Sequence, residues 1–448
     1  MEFDTALLVR SDGVKSYNYL IAASAVWLSS FSMGTCYGYS APAKSSMLAM
    51  DEFPISEQQF QWLASILMFG GLVGALTGGV LSDYMGRRWT LIVASLGMIA
   101  GWQTIICAFS ITWLLTGRAI CGYSTGVLSL IGPIYLSEVS PPAVRGSLTS
   151  AVQLFVATGL LAMYIVANFC AWKWLALFGM VFASLTVILL LFSVESPAWY
   201  FSREQHSKAT KSLLFLWGDC DQVTSEIMRQ EGLSERQGPI MADSVDHICK
   251  ISVTKPILLS VLLMVAQQGS AVNAVVFYAE DIFHRAGSSL SAYTCMVAFG
   301  LEQSPSGQWG WIPLVAMSIY AIAFAVGLGP VAWVMMGELL PQRCRSYGSI
   351  LATSVNYTCA FLVTNQWSKI QTVLSAAGTY AVFATITLVL ATIFLVELPE
   401  TKGKSLVEIE RYFVRLQRVD ATIGASSTES SIVATPPPPL ATGGKNEA

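Results

Sequence analysis

Glu138-Val139-Ser140-Pro141-Pro142-Ala143-Val144-Arg145 closes a long apolar run with a polar turn, and far along the chain the pattern returns as Glu338-Leu339-Leu340-Pro341-Gln342-Arg343-Cys344-Arg345. Both copies place a proline three positions after the glutamate and an arginine four positions after that. A second pair of echoes follows each copy. Val194-Glu195-Ser196-Pro197 ends the last apolar run of the first half and Val396-Glu397-Leu398-Pro399 that of the second. Glu195 follows Glu138 at almost the same distance as Glu397 follows Glu338. Two echoes at matching spacing point to an internal duplication, an architecture that recurs in membrane transporters.

Composition agrees. The chain is 54% hydrophobic and 12% charged, too little polar residue for a soluble protein of 448 residues. A run of about 20 apolar residues spans a bilayer core. Such runs occur at about 18–42, 57–81, 90–110, 112–136, 148–168 and 174–193, and again at 256–279, 311–336, 346–368 and 376–396. The reading is an all-α polytopic membrane protein of about ten spans. Its expected parts are an N-terminal segment 1–17, a six-helix bundle 18–197, a polar linker 198–255, a four-helix second bundle 256–399 and a tail 400–448 disordered towards its end. The net charge of −3 gives no nucleic-acid signal. Nine cysteines without a CxxC pattern and three scattered histidines suggest neither disulfides, metal nor a catalytic set. No cofactor and no enzymatic activity is expected.

Orientation follows from lysine and arginine. With Met1 cytoplasmic, 20 of the 25 fall inside, leaving Lys44, Arg118, Lys173, Arg285 and Lys369 outside or within spans. Both termini are therefore expected in the cytoplasm. The expected location is the plasma membrane, with an endolysosomal membrane as the alternative. Oligomeric state is open.

The duplication also exposes a deficit. The stretch from Pro256 to Glu338 is much shorter than its counterpart from Asn18 to Glu138. The shortfall is roughly 40 residues, or two helices of about 20 residues each. The intervening 285–310 holds a single apolar piece, Leu290 to Leu301, too short to cross a bilayer.

Two sets of polar residues stand out. Asp83, Arg87 and Arg88 lie in a short charged loop after a span whose Gly70, Gly74 and Gly78 suit close helix packing. Glu138, Arg145, Glu195, Glu338 and Arg345 fall on the same side, so these eight are expected to form a cytoplasmic gating network. Gln267, Gln268 and Asn273 share an otherwise apolar span, and Gln153 sits in another. Amides both donate and accept hydrogen bonds, and polar groups at membrane depth are usually functional. A single buried amide can equally be interhelical glue. Gln267 and Asn273 are six positions apart, which places them about 240° apart round a helix. They share a site only if the helix breaks, with Gly269 the expected place.

Together these motifs, with Gly117-Arg118, Gln267-Gln268, Gly327-Leu328-Gly329-Pro330, Trp333 and the closing Pro399-Glu400-Thr401-Lys402-Gly403, resemble the sugar porter family of the major facilitator superfamily over about 18–410. Within it the chain looks closest to glucose- and trehalose-transporter-like members. The resemblance implies facilitated transport of a hexose or trehalose between two bundles. Its site would comprise Gln153, Gln267, Gln268, Asn273 and Asn356, with Trp333 stacking on the ring. Where the family often has Gly-Tyr-Asp, whose carboxylate serves proton coupling, this chain reads Gly38-Tyr39-Ser40. No Asp or Glu occurs from Asn18 to Met47, which favours uncoupled carriage. The competing expectation is a non-transporting truncated variant or a regulatory paralogue, given the missing pair of helices.

Overall fold

A computed structural model describes residues 16–48, 55–218, 251–278, 312–340 and 345–401, with short pieces at 223–225, 227–228, 409 and 412–413. The 285–310 stretch and the distal tail lie outside the described residues, as do Pro341 to Cys344 and the Arg345 side chain.

Every described element is helical. In order they are α1 (Tyr19–Gly38), α2 (Ser40–Leu48), α3 (Glu57–Met85), α4 (Arg87–Ile106), α5 (Ile111–Val139), α6 (Arg145–Ala167), α7 (Trp172–Leu191), α8 (Pro197–Ser202) and α9 (His206–Trp217). The second half contributes α10 (Ile251–Gly269), α11 (Val272–Phe277), α12 (Ile312–Val326), α13 (Leu328–Leu339) and α14 (Arg345–Glu397). Among the described residues nine stretches are long and apolar enough to cross a membrane. The expected tenth span, 346–368, is helical too. It forms the first part of α14 and carries Ser349, Thr353, Asn356, Asn365 and Gln366, which lower its mean hydropathy.

Three breaks interrupt the helices of the second half. Ser375 (φ 61°, ψ 169°) separates the two expected spans inside α14. Gly327 divides the expected span 311–336 into α12 and α13. It lies just ahead of Pro330, which has no N–H to continue the ladder. The third break lies between α10 and α11, in the candidate site.

In the first half α3 and α4 pack on α5, α1 on α6 and α4 on α7. Small residues set the spacing. Gly70 and Gly74 lie against the backbone of α5 at Ala119–Tyr123, where a side chain has no room. Gly71 and Gly79 face the other way, onto Tyr357 and Ile350 of α14. One helix thus uses two glycine stripes to approach both halves. The far end of α14 is the opposite case. Its Leu388 and Leu395 are largely exposed, a surface suited to lipid.

Candidate functional site

Gln267 and Gln268 sit in the last turn of α10. After Gly269 the chain turns through Ser270 and Ala271, and Ala271 adopts a left-handed conformation (φ 63°, ψ 19°) before α11 begins. The break therefore falls two positions beyond the glycine. It redirects Asn273 so that its Nδ2 donates to Gln268 Oε1 at 2.7 Å. The turn is held by Ser270 Oγ donating to the Gln267 carbonyl (2.6 Å) and by Tyr320 Oη of α12 donating to the Ser270 carbonyl (2.8 Å).

Asn356 completes the cluster from α14. Its Nδ2 donates to Gln267 Oε1 (2.8 Å), and its Oδ1 accepts from Gln268 Nε2 (3.1 Å). Gln267 Nε2 in turn reaches the Gly329 carbonyl (2.9 Å), next to the Pro330 break. Gln267, Gln268 and Asn356 are each 4% exposed. Four amides from three helices thus pair with one another in an apolar setting, which satisfies groups that would otherwise be costly to bury.

A cavity of about 890 Å³ opens beside them. Gln153, Gln267, Gln268, Asn273, Trp333 and Asn356 all line it, so the six sugar-site candidates share one space. Gln153 contributes from α6 and Trp333 from α13. Sequence reasoning missed the hydroxyls of Tyr37 and Ser129, which also line this cavity. Each lies on a helix whose pattern reads as ordinary packing, so only the fold brings them there.

The charged candidates gather at the helix ends near Glu138. Arg87 Nε pairs with Glu138 Oε2 at 3.1 Å and Arg87 Nη1 with Asp83 Oδ1 at 3.2 Å. Ser196 Oγ donates to the same Glu138 oxygen. Glu195 does not take an arginine side chain. Its Oε1 accepts the backbone N–H groups of Arg87 (2.8 Å), Arg88 (3.0 Å) and Ser196 (2.9 Å). This places a carboxylate on the N-terminus of α4, where the helix dipole favours negative charge. Burial pushes the Glu195 carboxyl above the ordinary carboxylate range, and these N–H groups pull against that shift. Gly86, at φ 93°, makes the approach possible, since a Cβ there would run into the Glu195 carboxylate. Arg88 instead donates to the carbonyls of Leu190 (2.8 Å) and Leu191 (3.0 Å) at the end of α7. Arg145 Nη2 lies 3.4 Å from the Ser140 carbonyl. Glu338 lines the cavity.

Arg118 is fully buried within the first bundle. It donates to the Cys36 carbonyl (2.9 Å) and to Ser40 Oγ (2.7 Å), and its guanidinium lies 5.5 Å from the centre of the Tyr39 ring.

The family model described as "Sugar (and other) transporter" matches residues 8–301 and 288–413, two segments that share 288–301. Facilitated trehalose transporter Tret1 of Apis mellifera ligustica is 31% identical over 440 aligned positions, covering 88% of this chain and 88% of that protein. The protein of the same name from Culex quinquefasciatus is 31% identical over 445 positions, covering 88% and 86%. Among solved structures, the proton:xylose symporter XylE bound to 6-bromo-6-deoxy-D-glucose superposes with a TM-score of 0.72 at 20% identity, over 88% of this chain and 98% of that one. The inward-open xylose transporter XylE from E. coli gives 0.64 at 20% identity, over 88% and 98%. At that identity the likeness is one of fold. With the family match covering most of its length and relatives this similar, the chain belongs to the sugar transporter family of the major facilitator superfamily, a multi-spanning membrane transporter and not an enzyme.

Proposed function

We propose that this chain carries a hexose or trehalose across the membrane by uncoupled alternating access. The observation that carries the reading is the amide cluster of Gln267, Gln268, Asn273 and Asn356 on the wall of a cavity between the two halves. Each amide can exchange an internal hydrogen bond for one to a sugar hydroxyl, and Trp333 offers an aromatic face to the ring. The relatives named as facilitated trehalose transporters support trehalose as a candidate.

Uncoupled carriage is supported by the surroundings of Arg118. Its partners are the Cys36 and Leu63 carbonyls, the Cys36 thiol and the Ser40 hydroxyl, with Ser40 at the position where the family often has a carboxylate. A neutral hydroxyl cannot cycle a proton with each sugar.

The gating network we propose runs through Asp83, Arg87, Arg88, Glu138, Arg145 and Glu195, with Glu338 and Arg345 at the second half. The positive-inside balance supports placing it, and both termini, at the cytoplasmic face. The plasma membrane is the proposed location.

We further propose that the second bundle lacks two helices. Of the 440 positions aligned with the Apis protein, 88% of 448 residues accounts for about 394, so about 46 face no residue of this chain. The two family matches sharing 288–301 support the same reading. So does Glu397, the counterpart of Glu195, whose partner among the described residues is Lys255 at 2.8 Å. A chain so shortened could instead bind sugar without moving it, and the exposure of the α6 residues Leu154 and Leu161 beside the cavity favours that second reading.

Uptake of labelled glucose and trehalose into liposomes holding the purified chain tests the proposal, with Gln268→Ala alongside. Saturable uptake lost in the variant is the expected result. Sugar binding without uptake would select the second reading, and neither binding nor uptake would overturn both.

A further inference from the structure

Tyr357 follows Asn356 on α14, yet its side chain belongs to the other half of the molecule. The ring is 3% exposed and lies over Gly71 of α3, where a Cβ would collide with it. Its hydroxyl meets Tyr37 Oη of α1 at 3.1 Å and Ser129 Oγ of α5 at 3.0 Å. Three helices of the first bundle therefore hold one side chain of the second. Along the same seam, Gln61 Nε2 donates to Ser368 Oγ (2.9 Å) and Asn365 Nδ2 to Ser65 Oγ (3.1 Å). These bonds lie on one side of Tyr357. On the other side the approach of Gly79 and Ile350 is apolar. Tyr37, Ser129 and Tyr357 line the cavity together with Asn356.

We infer that the Tyr37–Tyr357–Ser129 hydroxyl chain is one of the ties between the two bundles beside the cavity, alongside the bond from Tyr164 Oη to the Val276 carbonyl (2.7 Å), and that Tyr357 is a positioning residue linking sugar at Asn356 to the motion of the first bundle. The geometry supplies both ends of the link within one helical turn. Asn356 holds the amide cluster, and its neighbour holds α1, α3 and α5. A sugar hydroxyl that takes over the Asn356 amide shifts the turn that also carries the tie. An empty carrier must open the tie unaided, whereas a loaded one has sugar contacts in exchange. The part of the inference that concerns the cycle rests on the transport reading; the tie itself does not.

The test uses the full chain with Tyr357→Phe, Tyr37→Phe and the double variant. Each removes hydroxyls and keeps the ring that fills the Gly71 notch, so the fold is retained. Amide hydrogen exchange in peptides from α3 and the first part of α14 should rise about fivefold in Tyr37→Phe, the change one lost hydrogen bond allows, and further in Tyr357→Phe, which also loses the bond to Ser129. The double variant should rise no further than Tyr357→Phe, because Tyr37→Phe breaks a contact that Tyr357→Phe already removes. Unchanged exchange in Tyr357→Phe, or effects of the two substitutions that add in full, would overturn the tie. In liposomes, net sugar uptake should gain about threefold relative to equilibrium exchange in Tyr357→Phe, since only the empty return step is freed. An unchanged ratio would overturn the link to the cycle, because a merely structural tyrosine lowers both rates together. A wild-type chain that carries no sugar would sink the transport reading alone, and the hydrogen-exchange comparison would still decide the tie.

Discussion

Gln268 and Asn356 meet through a 3.1 Å hydrogen bond on the wall of the inter-bundle cavity. Neither amide is spent on solvent or on its own helix. Asn356 also engages Gln267, and Gln268 also engages Asn273, so removing one member leaves its partners short. Replacing Asn356 by Ala should therefore weaken sugar binding by about 1–3 kcal/mol, or roughly 5- to 150-fold in Kd. Equilibrium binding of labelled glucose and trehalose checks this. A Kd within about twofold of wild type for both sugars, no more than redistribution within a hydrogen-bond network allows, would remove Asn356 from the site.

Ala271 sits in the left-handed region at φ 63° and makes the turn that brings Asn273 to Gln268. An alanine held there costs about 1 kcal/mol that a glycine would not incur. Ala271→Gly should leave thermal stability equal or slightly raised and sugar binding intact. Ala271→Val, branched at Cβ, should lower stability by about 1–3 kcal/mol and weaken binding with it. Unfolding midpoints of the two variants in the same detergent provide the comparison, and equal midpoints would contradict the account.

Gly86 and Glu195 predict a pH effect of definite sign. Burial raises the folded carboxyl above its ordinary value of 4.5, so the folded state binds the proton more tightly than the unfolded chain. Stability contributed by the protonated form is complete below the ordinary range and is lost as pH rises through the raised folded value. Subtracting the Glu195→Gln profile from the wild-type profile of unfolding midpoint against pH should expose that decline. An opposite slope would mean that the N–H groups of α4 outweigh burial. Independently, Gly86→Ala should fold poorly at any pH, since its backbone conformation and the carboxylate both exclude a Cβ.

Ser40 faces the buried guanidinium of Arg118 at 2.7 Å. Wild-type uptake should be indifferent to an imposed pH gradient. Ser40→Asp should introduce a titratable group beside that cation and make uptake respond to the gradient. Flux measured with and without a gradient in the two proteins decides the matter. A gradient response in the wild type would count against uncoupled carriage.

Much of this architecture is legible in the residues alone. Long apolar runs have one stable fate in a bilayer, because unpaired backbone groups cannot be left in hydrocarbon. That argument yields the helices, and the paired glutamate echoes yield the two halves. The amide candidates are legible for the same reason, since Gln267, Gln268 and Asn273 are conspicuous in apolar surroundings. Even the break in the helix follows, because an unbroken one would point Gln267 and Asn273 in different directions. Its location does not. Glycine is the cheaper residue for a left-handed turn, yet the turn falls on Ala271, where hydrogen bonds from Ser270 and Tyr320 hold it.

The sequence by itself determined an all-helical membrane protein, two matched glutamate motifs and the residues chemically able to hold a sugar, because hydropathy and motif spacing are local properties. Only the tertiary structure decided who meets whom. It placed Glu195 on the backbone of α4 in place of an arginine side chain. It set Asn356 against Gln267 and Gln268, and it seated Tyr357 among three helices of the opposite half. These contacts join residues far apart in the chain, and they depend on helix rotation and on the few glycines that let backbones approach. No periodicity within a single helix encodes that rotation.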